Sequence, residues 1–117
     1  WEDLGFEVVR VPDSAGLVRP RIVCALINEA VKILAQSSLP VEELDLALQH
    51  ALNAPRGPLS WADEIGLDVV LGTLEGLLRY WGHDRYRPAP LLRQKVYARH
   101  LGKKTGHGFY KYDSLLP

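Results

Sequence analysis

The sequence predicts an all-α domain of four to five helices with short extended ends. Three observations lead there. Apolar residues recur at helical spacing over three long stretches of the chain. Prolines fall at the starts of those stretches or between them. The alternation expected of strands is confined to residues 5–11 and 109–112.

The first extended stretch alternates weakly through Phe6, Val8, Val9 and Val11 and ends at Pro12-Asp13-Ser14. A lone strand cannot pair with itself, so it needs the C-terminal strand or a sheet from elsewhere. Residues 16–36 then read as a helix. Stepping about 100° per residue from Ile22 puts Val23, Leu26, Ile27, Ala30, Val31, Ile33 and Leu34 with it on one broad arc. Asn28, Glu29, Lys32 and Gln36 fill the other side. An arc that wide predicts a central helix, or one covered on a second side by another chain. Pro20 suits the first turn, where no backbone N–H is needed. Glu29 borders the arc, as a rim residue or as a carboxylate bonded to a neighbouring loop.

Pro40 opens a second helix through residue 52, with Glu42 and Glu43 at the favourable end of its dipole. Val41, Leu44, Ala47, Leu48, Ala51 and Leu52 line one face, and Leu46 points away. Asn53-Ala54-Pro55-Arg56-Gly57-Pro58 breaks it; two prolines around a glycine make a stiff turn. Ser60 with Asp63 resembles a capping box for a short helix to Ile65. Gly66 allows a bend, and residues 67–81 form another helix, with a stripe from Leu67 through Val70, Leu71, Leu74, Leu77 and Leu78 to Trp81. Gly72 and Gly76 on its back are either poor helix formers or a close contact with another helix. Residues 82–90 read as a loop and 91–100 as a shorter helix. A glycine-rich turn over 102–108 leads to a brief strand or extended segment over 109–112.

Composition narrows the function. The 117 residues are 47% hydrophobic with 14 basic against 14 acidic side chains, which excludes disorder and argues against nucleic acid as a partner. One cysteine, Cys24, excludes an internal disulfide and a cysteine-rich zinc site, and suits a reducing, cytoplasmic compartment. No apolar run is long enough to span a bilayer, and Trp1-Glu2-Asp3 does not open a signal peptide. The missing initial Met suggests a piece of something longer.

Motifs for chemistry are sparse. The segment from Gly102 to Gly108 has neither the P-loop order nor the third glycine of a dinucleotide fingerprint, and no helix follows it. Lys103 and Lys104, near Arg99 and His100, are either cations favoured at a helix C-terminus or contacts for a ligand phosphate. His50, His83, His100 and His107 lack metal-ligand spacing and suit exposed or turn positions. Ser60 reads as a helix cap and Cys24 as a small buried hydrophobe.

Six stretches in order resemble the C-terminal domain of the 3-hydroxyacyl-CoA dehydrogenases. They are Gly16-Leu17-Val18, Asn28-Glu29-Ala30, and Asn53-Ala54-Pro55-Arg56-Gly57-Pro58-Leu59. Ala62-Asp63-Glu64-Ile65-Gly66-Leu67-Asp68, Arg85-Tyr86-Arg87-Pro88-Ala89-Pro90-Leu91-Leu92 and Gly102-Lys103-Lys104-Thr105-Gly106-His107-Gly108-Phe109-Tyr110 complete them. The resemblance implies a fold like the C-terminal domain of 6-phosphogluconate dehydrogenase over residues 16–117, with 1–15 leading in from a preceding domain. It implies NAD on a Rossmann domain outside this chain, oxidation of a 3-hydroxyacyl-CoA to the 3-oxo thioester in fatty-acid or related degradation, and a homodimer. The helical domain would supply one wall of the acyl-CoA cleft; the catalytic histidine and glutamate would belong to the other domain. Pro55, Arg56, Gly57 and Pro58 are the candidate substrate contacts, or a turn that merely connects helices. Pro20 stands where the family carries an asparagine near the reacting carbon, while Arg21 keeps the family arginine. With Arg56 where many members carry Met, the chain looks like the second of two tandem copies, and no residue is assigned a catalytic role. The alternative is a non-catalytic dimerisation module.

Overall fold

The structure, a computed structural model, describes residues 19–112. The strand expected over residues 5–11, the lead-in over 1–15 and the first three residues expected in the first helix, 16–18, lie outside the described residues. Five helices follow: α1 (Arg19–Gln36), α2 (Val41–Leu52), α3 (Pro58–Ile65), α4 (Leu67–Trp81) and α5 (Pro90–Tyr97). Short 3₁₀ turns at Asp84–Tyr86 and Lys103–Thr105 punctuate the rest.

The breakers in the sequence set these boundaries. Pro40 holds φ −62° and ψ 152° ahead of α2, and Asn53 ends that helix in the left-handed region at φ 51°. Pro58 and Pro90 each occupy the first turn of their helices. Gly82 closes α4 at φ 73°.

The central-helix expectation holds: α1 packs on α3, α4, α5 and the Asp84–Tyr86 turn. Ile27 and Val31 of α1 meet Leu67, Val70, Leu74 and Leu77 of α4 in a core that also takes Leu59, Tyr86 and Leu92. Fully burying each such aliphatic side chain is worth about 1.5–3 kcal/mol. The other flank of α1 stays outside the core, with Ile22 63% exposed.

Several expectations change. Asn28, placed on the polar side of α1, is fully buried. Its Nδ2 donates to the carbonyls of Arg85 (3.2 Å) and Arg87 (2.8 Å), and its Oδ1 accepts from the Ala89 amide at 2.9 Å. Asn28 thus satisfies the loop leading into α5, while its neighbour Glu29 is exposed on the rim. On α2, Ala47, Ala51 and Leu52 are exposed, and Asp45 lies buried beside Leu44. The Ser60–Asp63 capping box does not form, because α3 starts three residues earlier, with Gly57 at its N-cap, and Asp45 binds its first free amides from α2. Gly72 and Gly76 have nothing within 4 Å of an added Cβ, so neither marks a close helix contact within the described chain. Helix α5 ends at Tyr97, short of residue 100, and Arg99 turns left-handed at φ 64°. Of the two alternatives for 109–112 the extended segment holds, with isolated bridges joining Gly102 to His107 and His107 to Lys111. These form a small hairpin.

Candidate functional site

Two buried aspartates build the site. Asp45, on α2, is 4% exposed, and a carboxylate so buried needs its oxygens satisfied. Its Oδ1 accepts from the Leu59 amide at 2.8 Å, and its Oδ2 accepts from the Ser60 amide at 2.9 Å and the Tyr110 hydroxyl at 2.7 Å. The amides are unpaired donors at the start of α3, and a negative charge there also suits the helix dipole. Asp63, on α3, is 1% exposed and is satisfied in the same way. It accepts from the amides of Phe109 (2.9 Å) and Tyr110 (3.0 Å) and from the Tyr112 hydroxyl (2.6 Å). One carboxylate ties α2 to α3; the other ties α3 to the C-terminal hairpin.

The predicted turn sits over this framework. Pro55, Arg56 and Gly57 line a cleft of about 420 Å³ whose other walls include Gln49, Lys103, Tyr110 and Tyr112. Pro58, the fourth predicted contact, is instead buried as the first residue of α3. The Arg56 guanidinium pairs with the Glu64 carboxylate, and Lys103 stands 3.7 Å from the same group. These side chains are half-exposed, so the pairs place charges at the rim and add little stability.

The cleft has neighbours. A hollow of about 150 Å³ shares Pro55 and Arg56 with it and has Arg19 and Trp61 as its other walls. Those two also bound an apolar groove of about 380 Å³ walled by Pro20, Val23, Ile65 and Val69. Pro20 therefore faces a largely hydrocarbon surface, and its side chain offers no hydrogen-bonding group there. Arg21 is turned inward: its Nε donates to the Tyr86 hydroxyl at 2.6 Å and its guanidinium carbon lies 4.2 Å from the Trp81 ring centroid.

The electrostatics keep the two phenols of this framework protonated. Burial first, and the Asp45 carboxylate second, push the Tyr110 phenol well above its ordinary range. Burial and Asp63 do the same to Tyr112. Both phenols are thus fixed as donors to buried carboxylates. Burial likewise raises the Cys24 thiol, which remains a small core residue as expected.

The basic cluster resolves into pairs. Lys104 reaches Asp68 at 2.6 Å and holds that carboxyl below its ordinary range, while Lys103 faces Glu64. Both lysines stand on the 3₁₀ turn, not at the end of α5, so the dipole reading of this cluster is replaced by partners from α3 and α4. His100 and His107 stack with ring centroids 4.0 Å apart. No group of three metal-ligating side chains occurs among the described residues. Nor is any described helix long and apolar enough to cross a membrane.

Asp45, Asp63, Tyr110 and Tyr112 escape sequence reasoning. The available signal is Asp45 interrupting an apolar stripe just before a Pro–Gly–Pro turn, together with two tyrosines in alternate positions after a glycine-rich turn.

Comparison with known proteins follows the same geometry. A family model described as 3-hydroxyacyl-CoA dehydrogenase, C-terminal domain, matches residues 16–112. A 3-hydroxybutyryl-CoA dehydrogenase of Clostridioides difficile is 45% identical over 105 residues, covering 90% of this chain and 37% of that protein. A 3-hydroxyadipyl-CoA dehydrogenase of Escherichia coli is 36% identical over 92 residues, 79% of this chain and 19% of that protein. The crystal structure of (S)-3-hydroxybutyryl-CoA dehydrogenase from Ralstonia eutropha superposes with a TM-score of 0.91 at 42% identity, covering 97% of this chain and 40% of that one. The chain therefore spans two-fifths or less of each of these relatives.

Proposed function

Because the chain belongs to the 3-hydroxyacyl-CoA dehydrogenase family, as its C-terminal domain, we propose that it forms the helical wall of an acyl-CoA cleft. The reaction served is oxidation of a 3-hydroxyacyl-CoA to the 3-oxo thioester, with NAD as hydride acceptor. The observation that carries this reading is the Pro55-Arg56-Gly57 turn, lining a cleft and pinned at its base by Asp45.

The glycine-rich turn over 102–108 does not fit NAD. A dinucleotide cradle needs glycines open to a pyrophosphate. Here Gly102 and Gly108 are closed by Asp63, whose backbone and carboxylate occupy the space a Cβ would take. The cofactor is assigned to a Rossmann domain of the parent protein, and no step of hydride transfer is routed through this chain.

What this chain supplies is shape and charge. Arg56 at the rim offers hydrogen-bond donors to a thioester carbonyl or to the polar part of the coenzyme. Pro20 and Trp61 offer an apolar surface to the acyl portion. With Pro20 in place of an amide side chain, the wall binds and orients without reacting, which suits the second of two tandem copies.

Ile22 and Ile33, both exposed on α1 outside the apolar groove, favour covering of this domain by a second copy or by the parent's other domain. A homodimer is the assembly these favour, and the single cysteine, Cys24, suits a reducing compartment such as the cytoplasm. Titration of acetoacetyl-CoA into the full-length protein and an Arg56→Ala variant tests the cleft. Weaker binding by the variant is expected, and unchanged affinity removes Arg56 from the site. Sedimentation tests the assembly, and a strict monomer at high concentration counts against the dimer.

A further inference from the structure

The turn that carries Arg56 is held at its two ends by different means. Its first half is tied to α2 locally: the Ala54 amide donates to the Gln49 carbonyl at 3.0 Å, and Gln49 Nε2 donates to the Pro55 carbonyl at 3.2 Å. Its second half runs directly into α3, whose first free amides, Leu59 and Ser60, are both taken by Asp45. A Cβ on Gly57 would overlap the Asp45 carboxylate, so the backbone of the turn rests on that group. Whatever fixes Asp45 therefore fixes the turn.

Asp45 is fixed from far away in sequence. The Tyr110 hydroxyl donates to Oδ2, the same oxygen that receives the Ser60 amide. Tyr110 is itself clamped at its backbone, where its amide donates to Asp63 on α3. A single residue of the C-terminal hairpin thus spans α2 and α3 along the wall of the cleft.

We propose that Tyr110 is a positioning residue: through Asp45 it sets the placement of the Pro55-Arg56-Gly57 turn, and so the affinity of the cleft for an acyl-CoA thioester. This rests on the reading of the cleft given above. A phenol at the end of a clamped backbone defines where Oδ2 stands, whereas water in its place would satisfy the oxygen without fixing it.

Tyr110→Phe removes only the hydroxyl and leaves the ring in place. The test uses the full-length protein, its Tyr110→Phe and Arg56→Ala variants, and acetoacetyl-CoA as probe. Amide hydrogen exchange is followed over Leu59 and Ser60, the dissociation constant by calorimetry well below the melting temperature. For Tyr110→Phe the expected result is exchange at Leu59 and Ser60 faster by about ten-fold, with binding weaker by about five-fold. A merely structural role would lower the melting temperature and leave the dissociation constant unchanged, which overturns the proposal. Unchanged exchange at Leu59 and Ser60 also overturns it. If Arg56→Ala weakens binding and Tyr110→Phe does not, the positioning role fails and the cleft survives. If Arg56→Ala has no effect, Arg56 leaves the site and the proposal that its placement sets affinity falls; if the wild-type protein does not bind, the cleft reading itself fails and takes the proposal with it.

Discussion

Asp63 and Gly108 fit so closely that a side-chain carbon on Gly108 would fall inside the Asp63 carboxylate. Glycine is required here by space, not by backbone freedom, because the carboxylate must come near enough to reach the Phe109 and Tyr110 amides. Gly108→Ala should therefore destabilise by about 1–3 kcal/mol, the range for forced overpacking. Asp63→Ala strands two amides and a phenol, and should cost about 3 kcal/mol or more. Urea unfolding of both variants checks this. A loss below about 0.5 kcal/mol in either, the scale of an ordinary surface change, would show that the hairpin is not held by this contact.

Asn28 gives a second case. Its amide bridges the carbonyls of Arg85 and Arg87 and the amide of Ala89 from a fully buried position on α1. Asn28→Ala should cost about 2–4 kcal/mol. Asn28→Asp should cost at least as much, since it turns a donor into an acceptor facing two carbonyl oxygens. Thermal unfolding with the two variants side by side decides it. An Asp variant as stable as wild type would mean that the Nδ2 bonds do not form.

The same residue shows what was legible in the sequence. Some helix boundaries were readable because their causes are local: Pro40 opens α2, and Asn53 and Gly82 close α2 and α4 by turning left-handed. The turn at residues 55–58 was readable for the same reason, and three of its four residues do line the cleft. Asn28, Asp45 and Asp63 were not readable. A helical wheel assigns a side by hydropathy, and each of these polar groups is buried by partners supplied from distant parts of the chain. Asn28 meets residues 85–89, and Asp45 meets Tyr110. The error over Ser60 has the same origin. The capping group expected within α3 is replaced by a carboxylate from α2, so Pro58 is free to start the helix.

His107 predicts an acid limb to the stability curve. Burial, followed by its neighbours His100, Lys95 and Lys111, lowers its pKa below the ordinary 6.5, against a smaller opposing effect of Asp63. The unfolded chain then takes up the proton first. The stability due to neutral His107 is complete above the unfolded value and is lost as pH falls through the folded one. Melting temperature should drop between pH 7 and pH 5, and His107→Gln should make that drop shallower. Parallel curves for the two proteins would remove His107 as a contributor. Asp68, held low by Lys104, has its own loss at more acid pH and does not confuse this window.

Tyr110 and Tyr112 predict the opposite limb. Each phenol is held above its ordinary value of 10 by burial first and by its aspartate second. In the unfolded chain both ionise near that ordinary value, while in the folded chain both stay protonated. The folded state therefore binds more protons above pH 10, and stability falls as pH rises from there. One proton corresponds to a slope of about 1.4 kcal/mol per pH unit, reduced here because both side chains are partly exposed and screened. Replacing both by Phe separates two effects that a neutral-pH measurement mixes. The double variant loses the hydroxyl bonds to Asp45 and Asp63, so it should be weaker than wild type at pH 7. It has no phenol to ionise at these positions, so its decline between pH 9.5 and 11.5 should be shallower. The two unfolding curves should thus converge as pH rises. Curves that stay parallel across that range would mean that the phenols titrate alike in both states, and that the aspartates do not hold their protons.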